Sequence, residues 1–506
     1  MKKIMTRLLS LVLLGTFIPS FVLADNWDLD KGSITVSATV ERQTVSQAGG
    51  SPTVDHNPVI TSNGKTNNTV TITAEKNATA NVTLENVNID TGTRGGAAIT
   101  TSGEGTVNIE LDGTNRVQSG NTHAGVEKKD NGTLTITDEN KDGSLTATGG
   151  DFGAGIGGGE GGSGSNITIE GGKVKAIGGS LGAGIGGGKD GSGSNIAIEG
   201  GKVEASSSGG GAGIGGGSGG SGSNIAVSGG EVTAQGGVGG AGIGGGQGGS
   251  GSNITISDGE VTATGGGAGA GIGGGYVGSG SNITIEGGEV TAQGDLGGAG
   301  IGGGIGGTGS DVTISGDAQV KVQGGRANEK WHKGAAIGNG GYYTTEGNEV
   351  SPNTSDLKVD GFIQIYEPGK NINTDTPDRT IEGQKGGHSW NAGVVTTAET
   401  VPESKAAAYW VSDPEGQSIP YQAQQKDGVL TVTVQADTAS LCGTTGSLGQ
   451  LEAQGIAEIR FVTNGAQSAF TLSDLLASGT GSFVLTHAGD QVTCTLGDTD
   501  ISSILK

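Results

Sequence analysis

Arg326, Glu329, Lys330, Trp331, His332, Tyr342 and Tyr343 fall in one short stretch of a chain whose aromatic content is only 3%. Aromatic rings with polar neighbours are the side chains that stack on sugar faces and read hydroxyls. Trp331, His332, Tyr342 and Tyr343 are therefore candidate carbohydrate contacts. The competing reading is that these rings close the end of a hydrophobic core.

A second candidate is a pair of outward files. Lys173, Lys202, Glu231, Glu260 and Glu289 form one, and Lys175, Glu204, Thr233, Thr262 and Thr291 form the other. If successive members stack about 4.8 Å apart, neighbouring carboxylates repel by roughly 1 kcal/mol in water. A cation or a hydroxyl-rich ligand would relieve that repulsion, and a solvated face would tolerate it.

Other matches carry less. Gly153-x-Gly155-x-x-Gly158 fits a dinucleotide fingerprint, but it recurs in every copy of a repeat and no helix follows. Gly161-Gly-Ser-Gly-Ser-Asn166 is similar to a calcium-binding nonapeptide, with asparagine where the aspartate should stand. An asparagine file bonding from coil to coil explains it better. His56, His123, His332, His388 and His487 have no metal-ligand spacing. No GxSxG occurs. Carboxylates abound, but none is singled out as half of a hydrolytic pair. The balance leans away from an enzyme, with no catalytic residue and no metal ligand assigned.

The element that must position these candidates is a repeat. GAGIGGG recurs with its isoleucine at Ile156, Ile185, Ile214, Ile243, Ile272 and Ile301, a constant step of 29 residues. S-N-I-T-I or a near copy keeps the same step at Asn166, Asn195, Asn224, Asn253 and Asn282, and Asp311 takes the sixth place. A fixed period of this size marks stacked coils. Each coil reads as three short strands with glycine corners. Alternation points Ile167, Ile169, Val174, Ala176, Ala183 and Ile185 inward. Looser copies at Ile99, Val126 and Ile337 bring the expected count to about nine coils.

The flanks differ. Lys2, Lys3 and Arg7 precede an apolar run from Leu8 to Ile18, and Ala24 offers a cleavage point, so residues 1–24 read as a secretory signal peptide. Residues 25–67 read as a cap or first rung, 68–366 as the stacked coils, and 367–400 as a linker or cover. Residues 401–506 read as a small, mainly β domain with one short helix near Thr471 or Ser473. The net charge of −23 becomes −26 without Lys2, Lys3 and Arg7. That balance argues against nucleic acid and anionic membrane as partners. No later stretch is apolar enough to insert in a membrane. Cys442 and Cys494 are the only cysteines. An exported chain permits a disulfide between them, and two buried free thiols are the alternative.

The tandem S-N-I-T-I…G-G-x-V-x-A…G-A-G-I-G-G-G units behind a signal sequence resemble exported right-handed parallel β-helix proteins of bacteria. Within them the chain is most similar to the carbohydrate-binding β-helix group, whose fold is pectate-lyase-like. The resemblance spans about residues 68–366. It implies an all-β solenoid at the cell surface or secreted, binding a polysaccharide or a host or cell-surface glycan, with no cofactor, though calcium sometimes accompanies binding in this group. A polysaccharide lyase or hydrolase is the rival expectation, and a structural spacer is a third.

Overall fold

The structure, a computed structural model, describes residues 25–327 and 332–341 without a break, most of 355–382, residues 388–392, and the greater part of 409–506. The chain divides between residues 397 and 398 into two compact units.

The first unit is a parallel β-solenoid with three walls. Strands such as Gly164–Ile169, Gly193–Ile198 and Gly222–Val227 build the first wall. Lys173–Gly178, Lys202–Ser207 and Glu231–Val238 build the second. Ile156–Gly157, Ile185–Gly186 and Ile214–Gly215 build the third. Each pairs in parallel with its copy one coil on: Ile167 with Ile196, Val174 with Val203, Ile185 with Ile214. All six residues expected to point inward are buried at 1% exposure or less. One core therefore runs the length of the stack, which no single coil could bury alone.

The stack is longer than nine coils. The first and third walls are thirteen-stranded sheets and the second has eleven strands. The third wall continues below Ile99 through Val70 and Ile34, which stack under it in register. Those rungs carry no Gly-Ala signature, because Ile34–Ala38 and Val70–Ala74 alternate as ordinary strands. At the other end of the chain's strands, Arg379–Glu382 and His388–Ala392 add antiparallel to Phe362–Tyr366 and Ser355–Val359. Gln43–Gln47 does the same against Ile34–Ala38. Antiparallel closing strands of this kind blunt the edges that would otherwise template further chains.

The asparagine file is a ladder. Asn195 Nδ2 donates to Asn166 Oδ1 at 2.9 Å, and Asn224, Asn253 and Asn282 repeat the bond at 3.0, 3.0 and 2.7 Å. Each of these residues sits in the left-handed region, with φ between 52° and 57°. Asparagine tolerates that region better than any other residue with a side chain except aspartate.

The second unit contains an antiparallel five-stranded sheet and a four-stranded sheet. Phe461, Phe470, Phe483 and Leu485 fill its core. Its helix, Leu472–Ala477, is capped by the Thr471 hydroxyl, which accepts from Asp474 N–H at 3.1 Å. Both cysteines are free and buried, so the disulfide does not form. Cys442 lies opposite Val484, and Cys494 opposite Leu485 on the far side of the same strand. Two strand spacings, about 9–10 Å, separate their backbones, beyond the roughly 4.4–6.8 Å a disulfide spans. Their side chains also leave opposite faces of the sheet. Burial pushes both thiols up, Cys494 to about 12, so neither is reactive near neutrality.

His487 is fully buried between the Thr463 and Ser468 hydroxyls, at 3.1 and 3.0 Å, against the Phe461 ring. Burial holds its imidazole below the usual range. The unfolded chain then binds a proton near pH 6.5 that the folded chain refuses. Stability contributed by this residue is complete above that pH and is lost as pH falls from it toward the folded value. We expect this unit to melt lower at pH 5 than at pH 7, and His487→Phe to flatten that slope. Thermal melts followed by near-UV circular dichroism decide it, and an unchanged slope in His487→Phe would refute the assignment.

Candidate functional site

The third wall changes character in one coil. Ala124-Gly-Val-Glu-Lys-Lys129 runs in register with Ala154-Gly-Ile-Gly-Gly-Gly159, pairing Val126 with Ile156 and Glu127 with Gly157. Later coils hold glycine at the Gly157 position with φ near +132°. That position is held by Glu127 here, as it is by Thr100 on the coil before, so side chains stand where the later coils have none. Three consecutive charged residues result, Glu127, Lys128 and Lys129.

They border a cleft of about 510 Å³, with Thr122, His123, Gly159, Glu160 and Gly162 completing its lining. Glu127 is buried at 4% exposure. Its Oε2 meets His123 Nδ1 at 2.6 Å and accepts from Ala124 N–H at 3.2 Å, while Oε1 pairs with Lys129 Nζ at 3.3 Å. Gly159 leaves room beside that carboxylate, since a Cβ there would stand 3.0 Å from Glu127 Oε2. On the next coil, Glu160 donates its N–H to Thr122 O at 2.7 Å, and its carboxylate pairs with Lys189 at 3.3 Å. Lys189 Nζ also lies 5.2 Å from the centre of the Phe152 ring. The half-buried Phe152 is tied to Asn121 O by its own N–H.

Lys128 is the unusual member. It is 5% exposed, and its ammonium donates to the Asp130 main-chain carbonyl. Burial pushes it down to about 8, against a partial opposing pull from the Asp130 carboxylate. Together the groups offer fixed donors and acceptors beside one aromatic ring, an arrangement suited to a polar, hydroxyl-bearing ligand. A buried amine near neutrality is also the usual raw material of a proton-transfer site.

Of the residues singled out from sequence, Trp331, Tyr342 and Tyr343 lie outside the described residues, as do Glu329 and Lys330. His332 is exposed. Arg326 reaches Asp295 at 4.0 Å. The outer files stack in register, Glu231 with Glu260 and Glu289, and Thr233 with Thr262 and Thr291. Lys202 takes up Glu231 in an ion pair, and Lys175 takes up Glu204 at 3.0 Å. Among the described residues, no three histidines, cysteines or carboxylates gather as a metal site.

Sequence reasoning passed over the cleft. Residues 123–126 read as a worn copy of GAGI, and the uneven steps of 27 and 30 residues around Val126 as looseness. The available signal was the run Glu127-Lys128-Lys129 standing where six later copies have Gly-Gly-Gly.

A family model described as Beta helix repeat matches residues 141–160, 167–189, 196–218, 225–247, 254–276 and 283–307. No curated protein and no solved structure matches the chain. The cleft is lined by residues within 122–129, which precede the first matched stretch, and within 159–162 at its end.

Proposed function

Because this chain is a right-handed parallel β-helix protein, we propose that it is a non-catalytic glycan-binding rod that works outside the cell. The observation that carries this is the cleft around Glu127. Its carboxylates are already held by His123, Lys129 and Lys189, so they are rigid partners for hydroxyls rather than groups free to exchange protons. Phe152 lies close by, with Lys189 Nζ over its ring at 5.2 Å. The length of the rod, with its closed edges, suits presentation of such a site away from a surface. Trp331, His332, Tyr342 and Tyr343 form a second candidate contact, and the Glu231–Glu289 and Thr233–Thr291 files a third.

A glycan array probed with the chain from residue 25 onward tests the reading. Phe152→Ala with Lys129→Ala should weaken retention at least about tenfold, the effect of losing one stacking or charge-assisted contact. Thr233→Ala with Thr262→Ala, and Trp331→Ala with Tyr342→Ala, measure the other two contacts in parallel. Retention unchanged by the cleft pair would remove the cleft from the proposal, and no retention of any glycan by the unaltered chain would end it.

Lys128 favours a second reading, a polysaccharide lyase or hydrolase, because an amine near pKa 8 can serve as a base. Release of unsaturated or reducing ends from a bound polysaccharide would establish that reading.

A further inference from the structure

Every carboxylate near Lys128 already has a partner. Glu127 is held by His123, by Ala124 N–H and by Lys129. Glu160 is held by Lys189. Asp130 Oδ2 accepts from Gly103 N–H at 2.8 Å. Among the described residues, Lys128 therefore has no carboxylate within ion-pair distance, and its ammonium directs one bond to a neutral carbonyl. An ammonium carries three donors. A cation more than nine-tenths buried with a single neutral acceptor is costly, and it is stable only where something completes its shell. Lys128 lines the open cleft, so that acceptor can arrive from outside.

We propose that the cleft binds an anionic saccharide, with Lys128 receiving the sulfate or carboxylate group. The proposal rests on the glycan-binding reading and narrows it to charged sugars. Lys129 and Lys189 keep Glu127 and Glu160 from repelling the incoming charge, and His123 fixes the Glu127 carboxylate. The remaining polar atoms of the lining are left for the uncharged part of the ligand. No metal is needed to hold the anion, because the lysine supplies the charge.

The test is titration calorimetry of the chain from residue 25 onward with a sulfated oligosaccharide, a carboxylated one, their desulfated and carboxyl-reduced counterparts, and inorganic sulfate alone. The charged sugars should bind at least about tenfold more tightly than their neutral counterparts, the value of a charge-assisted bond. Lys128→Met should erase that difference while leaving the affinity for the neutral sugars in place. Met fills a similar volume without a charge, so the fold should survive, and Lys128→Gln gives a second neutral variant. The unaltered chain offers an independent readout. Its affinity for the charged sugars should be steady below about pH 8 and then fall, as free Lys128 loses its proton, until it levels off at that of the neutral counterparts. Inorganic sulfate binding that matches the sulfated sugar would make the site a plain anion site and overturn the saccharide assignment. Equal affinity for charged and neutral sugars, or full discrimination retained by Lys128→Met, would overturn the role of Lys128 and leave the glycan-binding reading standing. Failure of the unaltered chain to bind any sugar overturns both.

Discussion

Gly215→Ala should break the rod in its middle. Gly215 has φ of +132°, and an added Cβ would stand 2.0 Å from Gly244 O on the next coil. That oxygen is the acceptor for Gly216 N–H at 2.9 Å, one link in a file that also joins Gly187 to Gly215 and Gly245 to Gly273. Both sides of the contact are backbone, so neither can yield without opening the ladder. The conformation alone costs an L-residue about 1–3 kcal/mol, and the overlap raises the total above about 4 kcal/mol. Because each coil touches only its neighbours, the loss should split the stack rather than spread along it. Guanidinium unfolding followed by far-UV circular dichroism should show an earlier, broader transition, or two. Gly248→Ala is the control. Its φ is +82°, and an added Cβ there meets nothing within 4 Å, so only the conformational cost of about 1–2 kcal/mol applies. Equal midpoints for the two variants would show that the coils are not in the close contact described.

That contrast explains why so much of the fold was legible in the sequence. A 29-residue period with fixed Ile and Val positions can be satisfied by little except identical coils in register. Ile167, Val174 and Ile185 were placed correctly because alternation in a strand leaves one choice of face. The number of coils was less legible. The rungs at Ile34 and Val70 lie where the walls use ordinary side chains: Val70 keeps the 29-residue step to Ile99 without the glycine signature, and Ile34 lies 36 residues before Val70, off the step. The cysteines show a different limit. Composition and compartment permit a disulfide, but strand order decides it, and the intervening strand Ser482–Ala488 could not be placed between Cys442 and Cys494 from sequence.

The candidate site was hidden for a related reason. Regularity argues that unusual chemistry sits where the period breaks, and the break near Trp331 drew attention through its aromatic residues. The break at Val126 carries charge instead. Its meaning appears only once Glu127 is seen to stack against Gly157, so that three long side chains border a coil that has only glycine there. Pairings such as Glu160 with Lys189 span 29 residues and follow from register. The 2.6 Å approach of His123 to Glu127 depends on a local turn that no period encodes.

Asn224→Ala should cost about 2–3 kcal/mol although the residue is exposed. Asn224 donates to Asn195 Oδ1 and accepts from Asn253 Nδ2, both at 3.0 Å, and it holds φ of 52°. Alanine forfeits both bonds and meets the left-handed penalty of about 1–2 kcal/mol. Each exposed bond contributes toward the lower end of about 0.5–1.5 kcal/mol, because water competes for the amide. Asn224→Gly separates the two effects, since glycine accepts the conformation and loses only the bonds, so it should cost about 1 kcal/mol. The ladder also has a polarity that the sixth copy interrupts. Amides donate toward the preceding coil, but Asp311, at φ of 51°, has a carboxylate where the next donor to Asn282 Oδ1 should be. Asp311→Asn should add one rung and stabilise the unit by about 0.5–1.5 kcal/mol. Guanidinium midpoints for the three variants, measured together, give the answer. If alanine and glycine at position 224 are equally destabilising, the left-handed backbone carries no cost. If Asp311→Asn leaves the midpoint unmoved, the amide file orders side chains without holding the coils together.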